Sequence, residues 1–168
     1  MIREEIWEDM REAKTQQISC LYYVDKKRKF NRCYNFAIIL IAGLGACTFF
    51  INHWCAFATT LAASILEMVK SFVPAVCQSE KELVELDDLA TFYGKTLSKL
   101  EELWSNNESG HADNDKLQKE LSKIQRKVAE NVTKTNKLIH SLSEKEDKKI
   151  QDKVDKYLKS KYYEQEET

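Results

Sequence analysis

The chain has 168 residues, with 26 Lys plus Arg against 27 Asp plus Glu, four Gly and a single Pro. That length admits one or two domains, and so few turn formers exclude sandwich, collagen-like and extended disordered organisations and favour long helices. The net charge of −1 conceals segregation: residues 1–32 carry a net +2, residues 33–66 contain no charged side chain, and residues 67–168 carry a net −3.

At the N-terminus Ile2, Ile6, Met10, Ala13, Gln17, Leu21 and Val24 recur at steps of three and four, the pattern of an amphipathic helix. Lys26, Lys27, Arg28, Lys29 and Arg32 follow immediately before the uncharged run. Basic residues beside a membrane span are retained in the cytoplasm, so the cluster predicts an inside N-terminus and contact with lipid headgroups.

The uncharged run of 34 residues begins too late and is too long for a signal peptide. As a single helix at about 1.5 Å per residue it would measure about 50 Å, against a hydrocarbon core of about 30 Å. Two spans fit better, Tyr34–Ile51 and Trp54 to about Val73, joined at Asn52 and His53 and ended by Pro74. Both termini then lie on the cytoplasmic side of the membrane. Ala42, Gly43, Gly45 and Ala46 in the first span and Ala58, Ala62 and Ala63 in the second offer small faces for close helix approach. A two-helix hairpin encloses no lumen, so a pore lined by these spans would require several copies, on the order of four, around an axis. Leu40 and Leu44, or Phe49 and Phe50, are candidates for an apolar constriction that closes such a pore by dewetting. Glu67 and Lys70 lie one turn apart near the cytoplasmic end of the second span; either could ring a vestibule, which leaves ion selectivity open.

Beyond Pro74, Leu83, Leu86, Ala90, Tyr93, Leu97, Leu100 and Trp104 alternate steps of three and four, a seam suited to a coiled coil or bundle. Residues 105–115 are rich in turn formers and predict a loop, with Asp115 as the cap of the next helix. That helix carries Leu117, Leu121, Ile124, Val128, Val132, Thr135, Ile139 and Leu142, and the pattern resumes at Ile150, Val154 and Tyr157. From Glu80 to Glu102 acids exceed bases by seven to three, and from Lys116 to Lys137 bases exceed acids by seven to two. Opposite charge suits an antiparallel helical hairpin. The same bases, Lys116, Lys119, Lys123, Arg126, Lys127, Lys134 and Lys137, are also the candidate site for a polyanionic ligand.

No chemistry-bearing motif accompanies these helices. Five scattered cysteines without a C-x-x-C, and His53, His111 and His140 far apart, give no metal or disulfide framework. A Gly-rich phosphate loop, a zinc-protease motif and a nucleophile elbow are all missing from the sequence. The reading is therefore a non-enzyme with no metal, no cofactor and no small-molecule substrate. Three parts follow: residues 1–32, an amphipathic helix and basic juxtamembrane segment; 33–75, a transmembrane hairpin; and 76–168, a cytoplasmic helical hairpin or coiled-coil region suited to assembly.

The basic stretch Asp25-Lys-Lys-Arg-Lys-Phe30-Asn-Arg-Cys-Tyr34 ahead of a two-span hairpin, then Pro74, Leu86-Asp-Asp-Leu-Ala-Thr-Phe-Tyr93 and Leu100-Glu-Glu-Leu-Trp104, resembles the SLATT family over roughly residues 15–105. These are bacterial two-transmembrane effectors associated with nucleotide-signalling anti-phage defence. The resemblance lies in architecture, since the family has no catalytic signature. It implies a homo-oligomeric, pore-forming membrane effector whose soluble helices sense a nucleotide or short oligonucleotide made by a partner nucleotidyltransferase. The alternative is a membrane-anchored coiled-coil adaptor that recruits a protein without conducting ions.

Overall fold

Short polar signals set where the helices begin. Ser79 and Glu82 exchange a reciprocal pair of bonds, Ser79 N–H donating to Glu82 Oε2 at 3.1 Å and Glu82 N–H to Ser79 Oγ at 3.3 Å, which satisfies amide donors that a first helical turn leaves unpaired. Ser143 N–H donates likewise to Glu146 Oε2 at 2.9 Å. Asp113 caps the helix between them by accepting from the Asp115 amide.

A computed structural model of the chain describes residues 2–48, 53–72, 79–109, 113–139 and 142–162. Its elements are all α: α1 (Ile2–Thr48), α2 (His53–Phe72), α3 (Glu80–Glu108), α4 (Asn114–Leu138) and α5 (Glu144–Tyr162). The chain divides into two compact units, one of residues 1–23 with 84–168 and the other of residues 24–83. The 47 residues of α1 contribute to both.

Three boundaries differ from the sequence reading. α3 continues through Ser105 to Glu108, where the Ser109 amide bonds to the Ser105 carbonyl at 3.0 Å and Glu108 pairs with Arg3 of α1, against the weak helix propensity of Ser and Asn. Asp113, rather than Asp115, is the cap of α4, since a cap must precede the first helical residue and Asp115 is already inside. The final apolar pattern is two helices: α4 closes with the Ile139 amide on the Thr135 carbonyl, and α5 restarts from the Ser143 box.

The first unit is a bundle of four helical segments: residues 2–23 of α1, most of α3, α4 and α5. Ile6, Met10 and Ala13 of α1 bury against Leu97 and Leu100 of α3 and Leu121 of α4. Ile150, Val154 and Leu158 of α5 form a second cluster with Trp7, Ile18 and Tyr22 packed on it. The seam positions of α3 from Leu83 to Leu100 are buried as the periodicity requires. On α1 the stripe shifts: Leu21 is 48 % exposed, whereas Cys20 and Tyr23 are buried.

Charged and polar contacts tie the same segments together. Arg3 pairs with Glu108 at 2.8 Å, Arg11 with Asp155 at 3.1 Å, and Gln125 donates to Asp9 at 2.9 Å. Glu101 accepts from Lys161 at 2.6 Å and from the Tyr157 hydroxyl at 2.7 Å. Burial opposes a charge on Lys161, but its bonds to Glu101 and Tyr157 outweigh that and raise its pKa to about 12. At this end of the bundle Trp7 packs on Trp104 and Tyr162, with ring centroids 5.5 and 5.6 Å apart.

A buried polar knot joins α1, α3 and α4. The Thr135 hydroxyl donates to the Asn131 carbonyl at 3.0 Å, so its single proton is used. The Tyr93 hydroxyl, 3.1 Å away, is then the donor of their mutual bond, and the Cys20 thiol of α1 is buried beside the pair. All three side chains are fully buried or nearly so. Burial pushes the Cys20 thiol up to about 12.

The second unit holds α2 and residues 24–48 of α1. Tyr34 donates to the Leu66 carbonyl at 2.7 Å, which sets the two helices side by side, and Ile38 is buried. Nearby, Phe30 stacks on Tyr34 with centroids 6.1 Å apart. Among the described residues, no helix is long and apolar enough to cross a membrane. The expected first span runs to Ile51, whereas residues 49–52 lie outside the described residues, as does the Val73–Pro74 end of the second. His53, expected in the turn, opens α2.

Candidate ligand-binding groove

The antiparallel faces of α3 and α4 leave a groove of about 630 Å³. From α3 come Phe92, Lys95, Thr96, Lys99, Glu102, Leu103 and Asn106; from α4 come Glu120, Lys123, Ile124 and Lys127. Buried Thr96 and half-buried Leu103 and Ile124 form the floor, and the four lysines are exposed along the rims. Four lysines against two glutamates leave the lining with a net charge of +2.

Among the described residues, Lys123 is the one of these lysines in an ion pair. Lys123 pairs with Glu120 of its own helix at 2.6 Å, and that bond together with the Lys123 charge holds the Glu120 carboxyl below its ordinary range. Among the described residues Lys95, Lys99 and Lys127 form no ion pair. The ion pairs described for α3 run to other segments: Glu108 pairs with Arg3 of α1, Glu101 with Lys161 of α5, and Glu80 with Arg28. Tyr93 and Thr135, with the apolar seam, hold α3 to α4.

The groove takes up two of the seven candidate ligand bases, Lys123 and Lys127. Lys116 and Lys134 follow the same line on α4 at spacings of seven residues, but like Lys119, Arg126 and Lys137 they are exposed and do not line it. Lys95, Lys99 and Phe92 were missed because α3 is acidic overall. Their signal is the i, i+3, i+7 spacing of Phe92, Lys95 and Lys99, which gathers them on one flank.

A second, smaller groove of about 390 Å³ lies between α1 and α4. Leu100, Ile124, Val128, Ala129 and Val132 line it with Asp9, Glu12 and Gln125. Burial raises the Asp9 carboxyl above its ordinary range, against the opposing bond from Gln125.

In the second unit, Arg28 pairs with Glu80 at 3.4 Å and Lys29 with Asp25 at 2.7 Å; Lys26 and Arg32 are exposed, Lys27 half-buried. Leu40 and Leu44 are exposed, alongside Phe36 and Ile39 of the same helix, and Glu67 is exposed on α2. Phe49 and Phe50 lie outside the described residues, and so does the side chain of Lys70. On α2, Phe57, Leu61, Ile65 and Met68 recur at helical steps and all are at least half exposed, with Trp54 at 77 %. A methyl group added at Gly43 would meet nothing within 4 Å. Among the described residues no cluster of His, Cys, Asp or Glu has metal-binding geometry.

Comparison with known proteins found no matching family model, curated relative or solved structure.

Proposed function

We propose that this chain is a membrane effector of bacterial anti-phage defence, in which the apolar helices of the second unit insert into the bilayer. Several copies surround a pore, and the bundle carries a site for a nucleotide or oligonucleotide signal that controls it. The observation that carries membrane insertion is the apolar surface of the second unit. Phe36, Ile39, Leu40, Leu44, Trp54, Phe57, Leu61, Ile65 and Met68 all present large apolar side chains to the surroundings, within or beside a run without charge. So many exposed large apolar side chains on two neighbouring helices mark an interaction with lipid or protein. The basic cluster at residues 26–32 and the resemblance to SLATT effectors point to lipid, an inner-membrane location and cytoplasmic termini.

The 20 residues of α2 would extend about 30 Å, the thickness of a hydrocarbon core. Its apolarity is diluted by Thr59, Thr60, Ser64, Glu67 and Lys70. Polar positions of this kind are accommodated when they face neighbouring helices or a lumen, so the reading requires insertion as an assembly. Flotation with liposomes and ion flux across them test it directly. Co-flotation with flux is expected; a protein that stays soluble without detergent and does not float overturns insertion.

The adaptor reading is favoured by the groove between α1 and α4, whose apolar floor and carboxylate rim suit a basic amphipathic helix. Co-flotation without flux under any ligand would select it.

A further inference from the structure

We propose that the groove between α3 and α4 binds a short single-stranded oligonucleotide, with Lys95, Lys99, Lys123 and Lys127 on its phosphates and Phe92 against a base. The proposal deepens the effector reading by naming the signal's site and chemistry. It rests on binding rather than on flux, so the two can fail separately.

The lysines form two rungs. α3 and α4 run antiparallel, and Lys95 with Lys127 and Lys99 with Lys123 succeed one another along the groove at a spacing of four residues on each helix. That spacing is one turn, about 6 Å of rise, so the rungs offer separate positions for separate phosphates. Lysine suits this role as a flexible point charge that follows a backbone without demanding one geometry. From Phe92 to Asn106 the α3 rim extends about 21 Å at 1.5 Å per residue, which favours an extended ligand over a single phosphate group.

The ends of the groove differ in chemistry. Phe92 is half-buried, its ring centroid 5.3 Å from that of Tyr93 in an edge-to-face contact that steadies it. A steadied, partly exposed ring is a stacking platform for any base. At the other end Glu102, Glu120 and Asn106 repel further phosphate but accept hydrogen bonds from exocyclic amino groups of a base. Phosphates are thereby drawn to the middle of the groove, with bases toward the ends.

The test uses the full chain in detergent micelles and a single-stranded DNA tetramer carrying a 5′-phosphate and a 3′-fluorescein, which offers one phosphate to each of the four lysines, titrated by anisotropy at several salt concentrations. With four lysines on phosphates, log K against log salt should slope by about −2.8, and Lys95→Gln with Lys127→Gln should reduce the slope to about −1.4 and weaken binding at least about tenfold at low salt. Phe92→Leu should weaken the tetramer about fivefold or more while leaving displacement by inorganic tripolyphosphate unchanged. Lys148→Gln with Lys156→Gln, exposed on α5 and outside the groove, should leave binding within about twofold and serves as the matched change in net charge. Equal loss in this control, or unchanged binding in the groove variants with their melting temperatures intact, overturns the proposal. Equal effects of Phe92→Leu on tetramer and tripolyphosphate remove the base from the site and overturn the oligonucleotide assignment.

Discussion

Replacing Thr135 by Val keeps the shape of a fully buried side chain while deleting the acceptor at the centre of the polar knot. Tyr93 O–H loses its partner at a fully buried position. An orphaned buried donor costs about 1–3 kcal/mol, whereas Tyr93→Phe, which removes the donor itself and leaves Thr135 bonded to Asn131, costs about 0.5–1.5 kcal/mol. The double variant should therefore be more stable than the sum of the singles predicts, by about 1 kcal/mol. For a domain of this size 1 kcal/mol corresponds to about 4 °C in melting temperature, so Thr135→Val alone should lower it by roughly 4–12 °C. Fluorescence melting in a Trp54→Phe background isolates the first unit, because Trp7 and Trp104 then report alone from their shared cluster. Strict additivity, or a larger loss for Tyr93→Phe than for Thr135→Val, would refute the donor assignment.

The Cys20 thiol has a folded pKa of about 12 against 9.0 for the free group, so its stabilising neutral form is fully present below pH 9 and lost as pH rises toward 12. Stability of the parent should fall more steeply than that of Cys20→Ala over that window, by up to about 1.4 kcal/mol per pH unit; parallel profiles would contradict its burial. In the native protein, exposed Cys33 should react with an aromatic disulfide reagent while Cys20 does so only on unfolding. An added methyl at Gly94 would approach Gln17 Nε2 to 2.6 Å, but that atom ends a flexible side chain. The gain in helix propensity, about 0.8–1.0 kcal/mol, then offsets the shift, so Gly94→Ala should melt at or slightly above the parent temperature; a loss above about 1 kcal/mol would show Gln17 to be fixed by its bond from Lys14. Leu100→Asp should unfold the bundle at ambient temperature by burying an unpaired charge, at a cost of several kcal/mol on the order of magnitude, read as loss of the near-ultraviolet dichroism of the Trp7–Trp104 pair.

Helix faces were more legible than helix ends. The steps of three and four from Leu83 to Leu100 foretold the buried side of α3, because one apolar stripe against one core leaves little choice of rotation. The division between α4 and α5 was harder to see, since Ile139 and Leu142 continue the apolar periodicity across it. What marks the restart of α5 is the bonding of Ser143 N–H and Oγ–H to the Glu146 carboxylate three residues on, a signal carried by spacing rather than hydrophobicity. The N-terminal helix could be recognised as amphipathic, but its partners on α3, α4 and α5 are more than 70 residues away and no periodicity names them. The basic residues of α4 stood out by composition. The α3 half of the groove did not, because Lys95 and Lys99 are outnumbered by acids that face other helices.

The Ser-x-x-Glu boxes at Ser79 and Ser143 give α3 and α5 something like a reading frame. In α5 the apolar residues Ile150, Val154 and Leu158 are spaced by four and are counted from a start that Ser143 fixes locally. Residues added ahead of Ser143 lengthen the connection without rotating that face, whereas one residue added between Glu146 and Ile150 turns it by about 100° away from the core. Length variation in this chain is therefore cheap on one side of each box and ruinous on the other, so joints between helices can drift while the helices keep their facing.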